Sequence, residues 1–426
     1  MQKVRFAITC ALLLCSGVLC AQPYENMVMR GRGGKELFFS DSLNIYSLYR
    51  SYPAPQAGPS PAPSGYKAVY LTSYGRHGSR KLHRADYTST VLAVLSAADS
   101  SASLTPLGSE IMYKVSEIDK DCRLSIGELT TEGVRQHKEL AERLYRYYPS
   151  IFASRRAAVR CYSTVIQRTM MSMAAAGETL LKLNPHLDLQ SLASGEFTYL
   201  NARYADPFAL QPHKPFDDFL RKYFDFAPVL GKLFVEGAPA ISDTAAFVRC
   251  LYLDAAIVPC LDISGLTPFA RELFSPEDLF TLAQAMNYMI YVRNSSSPLN
   301  CGEAPASQKP LLSDIISKAD AALSSDCPSA DLRFGHDSYL IPLVALMGVD
   351  GYDKSETDPL KVADVFQDYS IAPMAGNLQL VYFRNRSGDV IVKILLNERE
   401  ATLPVPTDIF PYYHWDDLRI FLTNKL

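Results

Sequence analysis

The chain has 426 residues, 48% of them hydrophobic and 20% charged. That composition belongs to a globular protein and excludes the disordered and fibrous classes. A net charge of −3 gives no overall pull toward nucleic acid or an anionic membrane, so an anionic ligand must be held by a local cluster of cations.

Residues 1–21 read as a signal peptide, with Lys3 and Arg5 ahead of an apolar run from Phe6 to Leu19 that is too short for a comfortable membrane span. Cleavage after Ala21 leaves Gln22 first and predicts export to the periplasm, the cell surface or the medium. Leu19 argues against lipid attachment at Cys20, where a small residue is wanted. Of the nine cysteines, Cys122, Cys161, Cys250, Cys260, Cys301 and Cys327 then remain. An even set in an exported chain suggests disulfides, with Cys250–Cys260 and Cys301–Cys327 as local pairs and Cys122 left with Cys161. Free buried thiols are the alternative. No C-x-x-C pair or cysteine–histidine spacing suggests a metal.

Residues 51–65 hold five prolines and predict an extended lead-in. Lys67 to Ser73 is a short apolar strand that ends at Tyr74-Gly75 and the run Arg76-His77-Gly78-Ser79-Arg80. From Thr131 the spacing of Val134, Leu140, Ala141, Leu144 and Tyr148 predicts a helix, which Pro149 stops. A second strand, Ala157 to Cys161, leads to Thr164 and Gln167, whose T-x-x-Q spacing suggests a capping box with Arg168 in the first helical turn. Residues 185–325 change character. Helical patterns at 216–224, 243–258 and 276–293, the last behind a Ser275-Pro276-Glu277-Asp278 start, predict a mostly helical insertion domain. The segments 22–184 and 326–426 then form the rest of an α/β protein. The third strand-to-helix junction is Arg333-Phe334-Gly335-His336-Asp337, and 378–384 with 390–397 predicts a hairpin.

The three junctions carry what phosphoryl transfer needs: a nucleophile, positive charge for the equatorial oxygens and a proton for the leaving oxygen. His77 is the candidate nucleophile and Arg76, Arg80 and Arg168 the clamp. His336 is a second imidazole on the phosphate, and Asp337 is the acid. Arginine suits the clamp because its planar donors match phosphate oxygens in pairs. At an effective dielectric near 20, a unit-charge pair about 4 Å apart contributes roughly 4 kcal/mol. The same cations should keep His77 neutral, as a nucleophile must be. A bound phosphate dianion should raise the Asp337 pKa against the pull of its neighbours, which predicts an acidic optimum. Read singly, each feature also fits a blander role: a salt-bridged loop for Arg-His-Gly, an N-cap pair for His336-Asp337, a solvated cation for Arg168.

The set as a whole resembles the histidine acid phosphatases, the branch of the histidine phosphatase superfamily that contains phytases and multiple-inositol-polyphosphate phosphatases. Arg76-His77-Gly78-Ser79-Arg80 matches R-H-G-x-R. Residues 127–133 look like G-x-L-T-x-x-G, residues 168–172 are similar to R-T-x-x-S, and His336-Asp337 matches the distal H-D. The resemblance implies a mixed-sheet three-layer α/β domain with an inserted, mostly helical domain. It implies a phosphohistidine on His77, protonation of the leaving group by Asp337, and no metal or cofactor. It also suggests that the residues after R-H-G-x-R, here Lys81, His83 and Arg84, help hold the substrate. A stretch this basic suits a small phosphate ester with several phosphates, such as an inositol polyphosphate; a solvated basic turn is the equal alternative. The chain departs from the H-A-E that inositol-polyphosphate phosphatases often carry distally, having His336-Asp337-Ser338 instead. That leaves phytate and simple monoesters both open. A mutase-like phosphotransferase fits the export signal and Asp337 poorly, and a silent binding protein fits the intact residue set poorly.

Overall fold

The computed structural model describes residues 33–426 apart from 237 and 239. The signal-peptide reading of 1–21 lies outside the described residues. The frame is one mixed sheet of eight strands: β1 Lys67–Arg76, β2 Ala158–Ser163, β3 Asp188–Ala193, β4 Ser329–Gly335, β5 Asn377–Arg384, β6 Val390–Leu396, β7 Arg399–Glu400 and β8 Tyr412–His414. Their order is β3-β2-β4-β1-β5-β6-β7, with β8 also on β6. The first four strands pair parallel, and β5 to β8 join antiparallel.

Successive side chains of a strand point to opposite faces, and both faces of this sheet are covered. Tyr70, Tyr74, Leu378, Leu380 and Tyr382 enter one hydrophobic cluster; Leu71, Val381, Phe383, Leu332 and Phe334 enter the other. This explains the near-continuous apolar run of β6 and the apolar stretch Leu380–Phe383 of β5. The second cluster is closed by the helices Thr131–Tyr147 and Gln167–Leu183, through Ala141, Leu144, Met173 and Leu180. The first is closed by Lys309–Leu323, Asp337–Met347 and Trp415–Thr423, which makes three layers.

The helices Lys214–Tyr223, Thr244–Ile257 and Pro276–Asn294 occupy the expected helical stretch, and Ser275 caps the last at the expected start, where its side chain and that of Asp278 form a capping box. Two features differ from expectation there. β3 lies inside 185–325 yet pairs along its whole length with β2, so the sheet extends past residue 185. The helices also share one continuous apolar cluster with the sheet.

All six described cysteines are free, which corrects the disulfide expectation. Cys250 and Cys260 are separated by most of a helix and its 3-10 end, about 15 Å at 1.5 Å per residue, far beyond disulfide reach. Cys122 belongs to the cluster on one face of the sheet and Cys161 to the cluster on the other. No described helix is long and apolar enough to cross a membrane.

Candidate active site

Because β1, β2 and β4 run parallel, their carboxyl ends meet at one edge. The register sets Arg76 opposite Gly335 and Ser163 opposite Phe334, so His77 and His336 emerge level, with Thr164 one residue behind them. This is the position where open α/β sheets bind ligands.

The loop after β1 is fixed by backbone contact. Gly78 packs so tightly on Gly133 that a Cβ there would lie 2.5 Å from the Gly133 carbonyl oxygen, and one on Gly133 would lie 2.2 Å from that of Ser79. Both positions therefore demand glycine. Gln136 completes the clasp, accepting from Ser79 N at 2.8 Å and donating to Ser79 Oγ at 2.9 Å. Ser172 Oγ accepts from Gly78 N at 3.2 Å. The helix start at 130–133 is thus also the floor of the His77 loop.

His77 is 2% exposed, and its Nδ1 lies 2.8 Å from the Gly78 carbonyl. A carbonyl only accepts, so Nδ1 carries the proton and Nε2 keeps its lone pair. Burial, then Arg76, Arg168, Arg80 and His336, hold the imidazole well below its ordinary 6.5. The expected direction is right, with desolvation ahead of the cations as the cause.

Arg76, also buried, donates through Nη1 to the carbonyls of Leu48 at 2.6 Å and Ala372 at 2.7 Å, and its Nη2 lies 2.9 Å from Asp337 Oδ2. Arg80 stacks over Tyr49 at 5.5 Å and donates to the Lys81 carbonyl. Arg168 stands in the first turn of its helix, with Nη1 over Gly127; burial and the charge of Arg80 lower its pKa to about 10. Neither Arg80 nor Arg168 has an ion-pair partner among the described residues. The capping expectation at Thr164 fails: the helix begins at Gln167 behind Ile166, and the Thr164 hydroxyl instead meets Thr169 Oγ1 at 2.8 Å and His336 Nε2 at 3.4 Å.

His336 is the N-cap residue of Asp337–Met347, its ring centroid 5.6 Å from that of His77. Burial and Arg168 lower its pKa to about 3. Burial pushes the Asp337 carboxyl up, but Arg76 and Arg80 outweigh it and hold the group at about 2. With no substrate, Asp337 is a carboxylate.

The basic run beyond Arg80 divides. Lys81 Nζ is 2.8 Å from Asp121 Oδ1, and Arg84 makes a two-point contact with Asp86, 2.9 Å from Nε to Oδ1 and 2.6 Å from Nη2 to Oδ2. His83 alone stays in the field of the site: the residue is exposed to solvent on one side, while the protein packed around its ring, then Arg80, lower its pKa well below 6.5, and Asp337 and Arg168 also act on it. Its ring packs on Tyr87, which packs in turn on His213 from the helical stretch. Gln136, Thr164, Tyr49 and His213 were not singled out for this site from sequence. Gln136 and His213 carry no motif of their own; Thr164 reads locally as a cap. Among the described residues, no three His, Cys, Asp or Glu side chains are grouped to hold a metal ion.

A parallel sheet edge with two imidazoles, three guanidiniums and one carboxyl is a site suited to an anion. The family model described as histidine phosphatase superfamily (branch 2) matches residues 76–204, the stretch that carries the His77 loop and Arg168. In fold it is similar to the multiple inositol polyphosphate phosphatase of Bifidobacterium longum complexed with inositol hexasulfate (TM-score 0.73, 19% identity, covering 89% of this chain and 97% of that one). The complex of that enzyme with phosphate aligns with TM-score 0.72 at 20% identity, covering 89% and 97%. The phytase from D. castellii follows with TM-score 0.65 at 12% identity, covering 90% and 84%. The search of curated protein sequences finds no match.

Proposed function

We propose that the protein hydrolyses phosphate monoesters through a phosphohistidine on His77, with inositol polyphosphates as its substrate class, after export directed by residues 1–21. The observation that carries this reading is the buried His77 ring, with Nδ1 tied to the Gly78 carbonyl and Nε2 free, in the shared field of Arg76, Arg80 and Arg168.

In the first step the Nε2 lone pair forms an N–P bond as the bond to the ester oxygen breaks. The three arginines and His336 hold the equatorial oxygens. The leaving oxygen takes its proton from Asp337. The free Asp337 is ionised, so it gains that proton only when a phosphate dianion draws Arg76 and Arg80 to itself and raises the carboxyl pKa. In the second step a water attacks phosphorus, the N–P bond breaks, and Asp337 takes the water's proton. Of the basic run, His83 is the residue that would meet the substrate in this reading, because Lys81 and Arg84 would first have to leave Asp121 and Asp86.

The inositol-polyphosphate reading draws on likeness to an enzyme solved with inositol hexasulfate. The test is phosphate release from p-nitrophenyl phosphate and phytate by purified protein without added metal. No release from either substrate across acid and neutral pH rejects the hydrolase reading; release from the monoester alone rejects the polyphosphate reading.

A further inference from the structure

The stretch from Leu200 to Arg203 lies just beyond β3 and is fastened residue by residue. The Leu200 carbonyl accepts from Tyr74 Oη at 3.4 Å, and Tyr74 Oη in turn accepts from the His336 backbone N–H at 3.3 Å. Asn201 Oδ1 accepts from Tyr339 Oη, and the Ala202 carbonyl accepts from Gln308 Nε2 at 3.3 Å. Arg203 Nε donates to Tyr339 Oη at 3.1 Å. The Tyr339 ring is 5% exposed and packs on the His336 ring, with centroids 6.0 Å apart. Arg203 therefore stands one side chain out from His336, on a buried phenolic post.

The combination of two properties distinguishes this arginine from the other cations near the site. It is exposed, as Arg84 is, and among the described residues no carboxylate pairs with it, as none does with the more enclosed Arg80 and Arg168, whereas Lys81, Arg84, Arg249 and Arg293 each have an aspartate. Its anchor uses Nε, which leaves both terminal nitrogens for an oxyanion. A guanidinium already held loses less freedom on binding than a free one.

We infer that Arg203 takes a second phosphate group of a multiply phosphorylated substrate whose first phosphate sits at His77. This rests on the reading of the site as a phosphomonoesterase and assigns its preference for polyphosphates to a residue outside every motif.

The experiment uses inositol hexasulfate and inorganic phosphate as inhibitors of p-nitrophenyl phosphate hydrolysis by the full mature chain. In Arg203→Gln the inhibition constant for the hexasulfate rises about tenfold more than that for phosphate, the change expected on losing one charge-assisted contact. Tyr339→Phe keeps the ring against His336 and removes the post, so it moves the same ratio in the same direction by a smaller factor. An unchanged ratio in Arg203→Gln, with the wild-type melting temperature, overturns the assignment and leaves the phosphatase reading standing. Wild-type protein that releases no p-nitrophenol removes that reading and the inference with it.

Discussion

Residues 76–80 and 81–84 are adjacent in sequence and about equally basic, yet an anion would meet them very differently. Arg76 and Arg80 are 1% and 6% exposed, and the only carboxylate paired with either among the described residues is Asp337, which the proposed reaction itself uses. Lys81 and Arg84 lie further out, and each is neutralised by an aspartate of its own. A buried cation with few counter-charges is unfavourable by itself and acts strongly on whatever enters beside it; an exposed ion pair contributes little either way. What distinguishes the two segments is pairing and burial rather than the density of basic residues.

The contrast can be broken most decisively at His77. His77→Ala should abolish turnover of every ester while far-UV circular dichroism stays native, and residual burst-phase release would move the nucleophile elsewhere. Asp337→Asn should cost roughly 10²- to 10⁴-fold in kcat on phytate and less on p-nitrophenyl phosphate, whose leaving group needs little help. Equal losses on both substrates would give Asp337 a positioning role. Arg168→Ala, which removes a cation without a carboxylate partner, should lower kcat/KM about 10²-fold on either substrate. Arg84→Ala is the counterpart: thermal unfolding should show a change of under about 1 kcal/mol, because its partner Asp86 is exposed as well. A larger loss would mean that the exposed pair carries more than its geometry implies.

A pH profile sharpens the same comparison. His77 must be neutral to attack, and its pKa in the folded protein lies well below 6.5. Lowering the pH through 6.5 therefore leaves the nucleophile unprotonated, and kcat/KM for p-nitrophenyl phosphate should be maintained there. An acid limb centred at 6.5 would show that burial and the arginines do not hold the ring neutral.

Much of this was legible along the chain because it is local. The strands entering Arg76 and His336, the helix starts at Thr131 and Ser275 and the final hairpin each depend on patterns within about twenty residues, and all are present. Errors arose where distant segments compete. Thr164 has a cap spacing, but its hydroxyl meets Thr169 and His336, and the helix begins behind Ile166 instead. The cysteines are even in number, but the sheet separates Cys122 from Cys161. β3 was absorbed into the helical stretch because its exposed edge residues lack an apolar run.

The sequence by itself determined which chemistry is available: the imidazoles, guanidiniums and carboxyl at three strand ends, each identifiable from its own junction. Only the tertiary structure decided how they act. The parallel register of β1, β2 and β4 brings the junctions level, and the contact between Gly78 and Gly133 holds the His77 loop against its floor. Burial then makes His77 neutral, while Asp121 and Asp86 neutralise Lys81 and Arg84 and no described carboxylate does so for Arg203. The physical reason is that charge identity is a property of a residue, whereas field, protonation and pairing are properties of its neighbours in space.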